Sequence, residues 1–133
     1  MAESVTLSAA QAVVEAARAK AEEIGVPMNI AVVDEGNNLT AFARMDGAWL
    51  GSIDIAQNKA YTARSFDMST KDLAPLCQPN QPLFGIQASN QGRLIVFAGA
   101  PLGPMIAIDP RGPGRVPGLA RASIQEERTW RRL

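Results

Sequence analysis

Two runs rich in Val, Ile and Phe, within "MNIAVV" and "LTAFAR", flank the four residues Glu35-Gly36-Asn37-Asn38. Glycine and asparagine tolerate positive φ, so this spacing predicts a β-hairpin. In the first run Ile30, Ala31, Val32 and Val33 are all apolar, with no alternation. A strand of that kind is central in its sheet and covered on both faces. The remainder of the chain must therefore supply elements for both sides of it.

Helices are available on either side of the hairpin. In "SAAQAVVEAARAKAEEIG" the apolar residues Ala10, Val13, Val14, Ala17, Ala21 and Ile24 recur at helical spacing. Ser8 is the expected N-cap, and Gly25 followed by Pro27 is the expected stop. The helix is rich in alanine, so its thin face can lie close to a sheet. After Asp46-Gly47 a second helix is predicted from Ser52, with Asp54 in its first turn and Ile53, Ala56, Ala60 and Ala63 along one side. A short third helix follows at "STKDLAPL", where Ser69 and Asp72 have capping-box spacing and Pro75 limits the length. Residues 77–92 read as a loop. "RLIVFAGA" (93–100) reads as a strand, with "PMIAID" (104–109) as its hairpin partner. Three prolines and three glycines between Pro110 and Gly118 exclude a regular element there. A last helix is predicted from Ser123, with Glu126 in the capping-box position. The order α-β-β-α-α-β-β-α predicts an α+β fold, an antiparallel sheet with helices packed around it.

At 133 residues the chain makes one domain with a real core. Thirteen basic and thirteen acidic residues give a formal net charge of zero. That balance argues against nucleic acid as a partner and is compatible with a homo-oligomer. No secretory leader and no membrane span is read, so a cytoplasmic location is expected. The chain has one cysteine, Cys77, and no histidine. An internal disulfide, a catalytic triad, an imidazole base and a His-ligated metal are thereby excluded. Any proton transfer falls to a carboxylate, a lysine, Tyr61 or Cys77.

Candidate chemistry is sparse. Arg44 and Asp46 close the hairpin's second strand, and Lys59 sits on the small-residue helix that follows. A strand end meeting a helix start suits an anion, with Arg44 as a bidentate clamp and Lys59 as a nearby point charge. The plainer reading is that Arg44 and Asp46 form a turn-stabilising pair, with Lys59 a solvated charge. "GAPLGP" and "GPGR" match neither phosphate-cradling pattern and read as turns. Asp34 and Glu35 read as a solvated turn, because adjacent strand residues point to opposite faces. Tyr61, Cys77 and Met45 are the soft or phenolic candidates for a metal or heme iron.

The stretch "AVVDEGNNLTAFARMDGAWLGSIDIAQNKAYTA" resembles the GlcG/HbpS family, small heme-binding or PduO C-terminal-like domains. The matching positions are Ala31 to Asp34 with Gly36 and Leu39, then Arg44 to Ala48, then Ser52, Ile55, Ala56, Lys59, Ala60, Thr62 and Ala63. The first helix, "PLFGIQASNQGRLIVFAG" and "ASIQEE" also fit. Residues 104–121 depart from the pattern, lacking its glycine-rich last strand. The resemblance implies a single domain over 1–133 with about five antiparallel strands, assembled as a homo-oligomer. It implies a small-ligand binding role, with heme or another tetrapyrrole held without histidine. The acidic group of the ligand would fall to Arg44, Asp46, Lys59 and Thr62. The alternative is a small enzyme or accessory protein for a carboxylate- or diol-derived metabolite, with Asp46 or Lys59 as base.

Overall fold

A computed structural model describes residues 5–97 and 105–108. The chain opens with helix α1, Leu7–Ile24. Its cap is Thr6 rather than Ser8: Thr6 has extended backbone, and its hydroxyl accepts the Ala9 N–H at 3.1 Å. Ser8 lies inside the first turn, where it cannot serve as a cap. On the exposed side Arg18 is ion-paired with Glu15 and Glu22. The helix stops at Gly25, whose φ of 73° lets its N–H and that of Val26 return to the last carbonyls. An added Cβ at Gly25 meets nothing within 4 Å, so the backbone conformation alone opposes a side chain there. Gly25→Ala is expected to cost about 1–2 kcal/mol, lowering the midpoint of thermal unfolding by roughly 4–7 °C when followed by circular dichroism.

The hairpin comprises β1, Asn29–Val33, and β2, Leu39–Arg44, paired antiparallel with Asn29 opposite Arg44 and Val33 opposite Leu39. An irregularity in register falls between Val32 and Val33. The Asp34 carboxylate makes the turn, accepting the N–H groups of Gly36 and Asn38 at 2.9 Å each. Asn37 supplies the positive φ, at 63°. Asp34 is thus an internal acceptor of the turn rather than a solvated charge.

Every residue of β1 is buried, and the two faces have different company. Ile30 and Val32 join Ala10, Val13, Ala17 and Ala21 of α1, with Met28. Ala31 and Val33 meet Ala56 and Ala60 of helix α2, Gly51–Phe66. A continuous apolar run is therefore what a strand between two helix layers needs. The alanines on both helices bring the helix backbones close to the sheet.

The third strand, β3, Met105–Ile108, lies on the other edge of β1, giving the order β2-β1-β3. It runs parallel to β1, with Asn29 opposite Met105. This corrects an expectation. Among the described residues the sheet is mixed rather than antiparallel, and Met105–Ile108 of "PMIAID" pairs with the central strand, while residues 98–100 of its expected partner "RLIVFAGA" lie outside the described residues. Among the described residues the sheet has three strands. Residues 93–97 form no strand, because the Ile95 N–H donates to the Thr62 hydroxyl at 2.9 Å instead of to a ladder.

Between α2 and β3 come α3, Thr70–Leu73, and a 3-10 turn over Ala74–Cys77. The Ser69 hydroxyl caps α3 by accepting the Asp72 N–H at 3.1 Å, as the spacing predicts. Residues 78–92 are irregular apart from single 3-10 turns at Ile86–Ala88 and Asn90–Gly92. The expected last helix from Ser123 and the Pro110–Gly118 segment lie outside the described residues. No helix among the described residues is long and apolar enough to cross a membrane.

Candidate functional site

The turn from β2 into α2 holds two of the four residues expected to bind a ligand. Arg44 donates from both Nε and Nη2 to one acceptor, the Ala48 carbonyl, at 3.1 and 2.7 Å. The Ala48 N–H returns to the Met45 carbonyl, and Gly47 takes a φ of 80° that a side chain would strain. Asp46 is exposed at the tip. Beneath the turn the Asn29 amide donates to the Trp49 carbonyl at 3.0 Å. Arg44 therefore fastens the turn to itself, and the turn delivers Trp49 and Leu50 to the surface, 56% and 73% exposed.

The other two residues sit one helical turn apart on the inner side of α2. Lys59 is only 2% exposed, and its ammonium lies 4.9 Å from the centroid of the Phe97 ring. That distance is within the range of a cation–π contact. Thr62 is fully buried, donating to the Asn58 carbonyl at 2.7 Å and accepting from Ile95. The two are brought together beneath residues 93–97, while Arg44 and Asp46 stand in the turn before the helix. The expectation of a solvated Lys59 fails, because the chain after Arg93 folds back over α2.

That returning segment is the part sequence reasoning missed. Asn90, Gln91 and Gly92 take φ of 51°, 58° and 73° in succession. The Tyr61 phenol donates to Asn90 Oδ1 at 3.0 Å, and the Arg93 guanidinium lies 3.7 Å from the Tyr61 ring centroid. Only the composition of "SNQGR" hinted at left-handed backbone, and nothing in it pointed to Tyr61. Asn29 was missed as well. It is fully buried, and its Oδ1 has no hydrogen-bond partner among the described residues.

The candidate iron ligands are spoken for. Cys77 is buried, and desolvation pushes its thiol up, away from the thiolate a metal needs. Met45 Sδ accepts the Met28 N–H at 3.4 Å and packs against the α1 core. The Tyr61 hydroxyl is engaged by Asn90. Among the described residues there is no group of three or more metal-ligating side chains of the His, Cys, Asp or Glu type.

Residues 5–103 match the profile of a family described as haem degrading protein HbpS-like. The chain belongs to the HbpS-like family. A relative from Citrobacter freundii, an uncharacterized 15.0 kDa protein of the dhaT-dhaS intergenic region, is 37% identical over 94% of this chain and 85% of its own length. The corrinoid adenosyltransferase PduO of the same organism is 37% identical over 63% of this chain. That match spans 25% of the PduO chain. Among solved structures, the Klebsiella pneumoniae protein ORFY is 41% identical with a TM-score of 0.72, over 74% of this chain and 68% of that one. A PduOC–heme complex is 32% identical with a TM-score of 0.63, over 65% of this HbpS-like chain and 63% of its own.

Proposed function

We propose that this HbpS-like chain is a small-ligand binding protein that takes a tetrapyrrole such as heme without histidine ligation. The likeness to the PduOC–heme complex carries this reading. The surface supports it. Leu39, Trp49, Leu50, Phe84 and Phe97 are large apolar side chains between 37% and 73% exposed, the chemistry a macrocycle face requires. The chain offers apolar surface and cations for acidic groups but no imidazole, and Cys77, Met45 and Tyr61 are otherwise engaged. Binding would then rest on apolar contact and on cations for the propionates rather than on a protein–iron bond.

In this reading Arg44, through the N–H groups not given to Ala48, and Lys59, beside Phe97, receive an acidic group of the ligand. Thr62 fixes the segment carrying Phe97, and Asp46 stands exposed at the tip of the turn. The neutral charge and the exposed Trp49-Leu50 pair support self-association.

The test is a hemin titration followed by Soret absorbance, with light scattering after size exclusion on the same sample. A saturable, stoichiometric band without the signature of imidazole ligation is expected, from an oligomer. Arg44→Ala and Lys59→Ala should each weaken it by about tenfold if they meet a propionate. A flat titration from a well-formed oligomer would remove heme and direct attention to small organic acids.

A further inference from the structure

Four arginines lie among the described residues, and three are hydrogen-bonded or ion-paired to other groups of the protein. Arg18 pairs with Glu15 and Glu22, Arg44 holds the Ala48 carbonyl, and Arg64 holds the Glu35 carbonyl and the Asp67 carboxylate. Arg93 is different. It is exposed, it stacks at 3.7 Å from the Tyr61 ring centroid, and among the described residues no carboxylate pairs with it. A guanidinium resting on a ring by its face keeps its five N–H donors free around its edge.

The platform is held in place. The Tyr61 phenol is tied to Asn90 Oδ1 at 3.0 Å, and the Asn90 amide nitrogen in turn donates to the Ser89 hydroxyl at 3.1 Å. Gln91, next to Asn90, holds a left-handed φ of 58° despite a Cβ, a conformation that its surroundings must enforce. An arginine fixed on such a base surrenders less side-chain freedom when it binds a planar anion than a solvated one would.

We infer that Arg93, seated on Tyr61, is a carboxylate-recognising point, taking an acidic group of the ligand in its N–H fork. This deepens the binding role proposed above, and it gives that role a second acid contact outside the β2–α2 turn. A heme propionate and a free organic acid present the same chemistry, so the experiment must separate them.

Soret titrations of wild type and Arg93→Met with hemin, and with its dimethyl ester, provide the first arm. Position 93 is exposed, and a melting curve confirms that the variant folds. Hemin affinity is expected to fall about tenfold to a hundredfold in Arg93→Met, the range for a lost charged pair. The dimethyl ester, which has no carboxylate, should bind both proteins equally. Equal losses for both compounds, or no loss for either, would overturn the assignment while leaving tetrapyrrole binding intact. Should wild type bind no hemin, the tetrapyrrole reading fails and the second arm decides. Succinate is titrated while the Arg93 side-chain Nε–H resonance is followed by NMR. A saturable shift of that signal, with succinate affinity lost in Arg93→Met, assigns the site to a free acid. No shift in wild type overturns the inference.

Discussion

Replacing Ile30 by alanine is expected to destabilise the protein by about 2–5 kcal/mol, the largest effect of any substitution considered. Ile30 is fully buried in the strand flanked on both edges, with its side chain among Ala10, Val13, Ala17 and Ala21 of α1. Those neighbours are small and fixed on a helix, so they cannot move in to fill the space left behind. Ile30→Val, which removes one methylene, should cost only about 0.5–1.5 kcal/mol. Urea unfolding of the two variants checks the pair. Similar, small losses for both would mean that the α1–β1 layer collapses readily, contrary to the close packing described.

Thr62→Val is the second. The swap preserves shape and removes a hydroxyl that donates at 2.7 Å and accepts from the Ile95 N–H at 2.9 Å. The Asn58 carbonyl keeps its helical surroundings, but the Ile95 N–H loses its acceptor. An abandoned donor of this kind costs about 1–3 kcal/mol. The loss should be local as well as global, with faster amide exchange over residues 90–97 than in β1 or α1. Thr62→Ser, which keeps the hydroxyl, should restore slow exchange. Unchanged exchange in Thr62→Val would show that Leu94 and the Arg93–Tyr61 stack hold the segment unaided. Because Phe97 covers Lys59 and Arg93 rests on Tyr61, releasing the segment should also weaken hemin binding.

The layers of this fold were legible because each rests on a local pattern. Apolar spacing marked α1 and α2, Gly25 marked a stop, and the unbroken run Ile30–Val33 marked a central strand. Ser69 and Asp72 capped a helix at the expected place. The misplaced strand over 93–97 shows the limit. Leu94, Ile95, Val96 and Phe97 have every local reason to extend into a ladder, and a single threonine thirty-three residues earlier takes the N–H instead. The candidate site divides on the same line. Arg44 was visible as a charge beside a turn, but not its choice of the Ala48 carbonyl over Asp46. Lys59 was visible as a cation on a small-residue helix, but not its burial beneath a returning segment. Arg93 on Tyr61 joins residues from a loop and a helix, and no periodicity connects them.

The parallel pairing of β1 with β3 has a consequence during synthesis. Residues 7–66 contain α1, the hairpin and α2, so both faces of the central strand can be covered once α2 has emerged. Its second edge cannot, because the partner is Met105–Ile108. Until those residues leave the ribosome, one row of backbone donors and acceptors along Asn29–Val32 lacks its strand. An apolar strand with an open edge is the form in which nascent chains recruit one another. The late arrival of β3 thus defines an interval in which that edge of β1 is open to pairing with another chain.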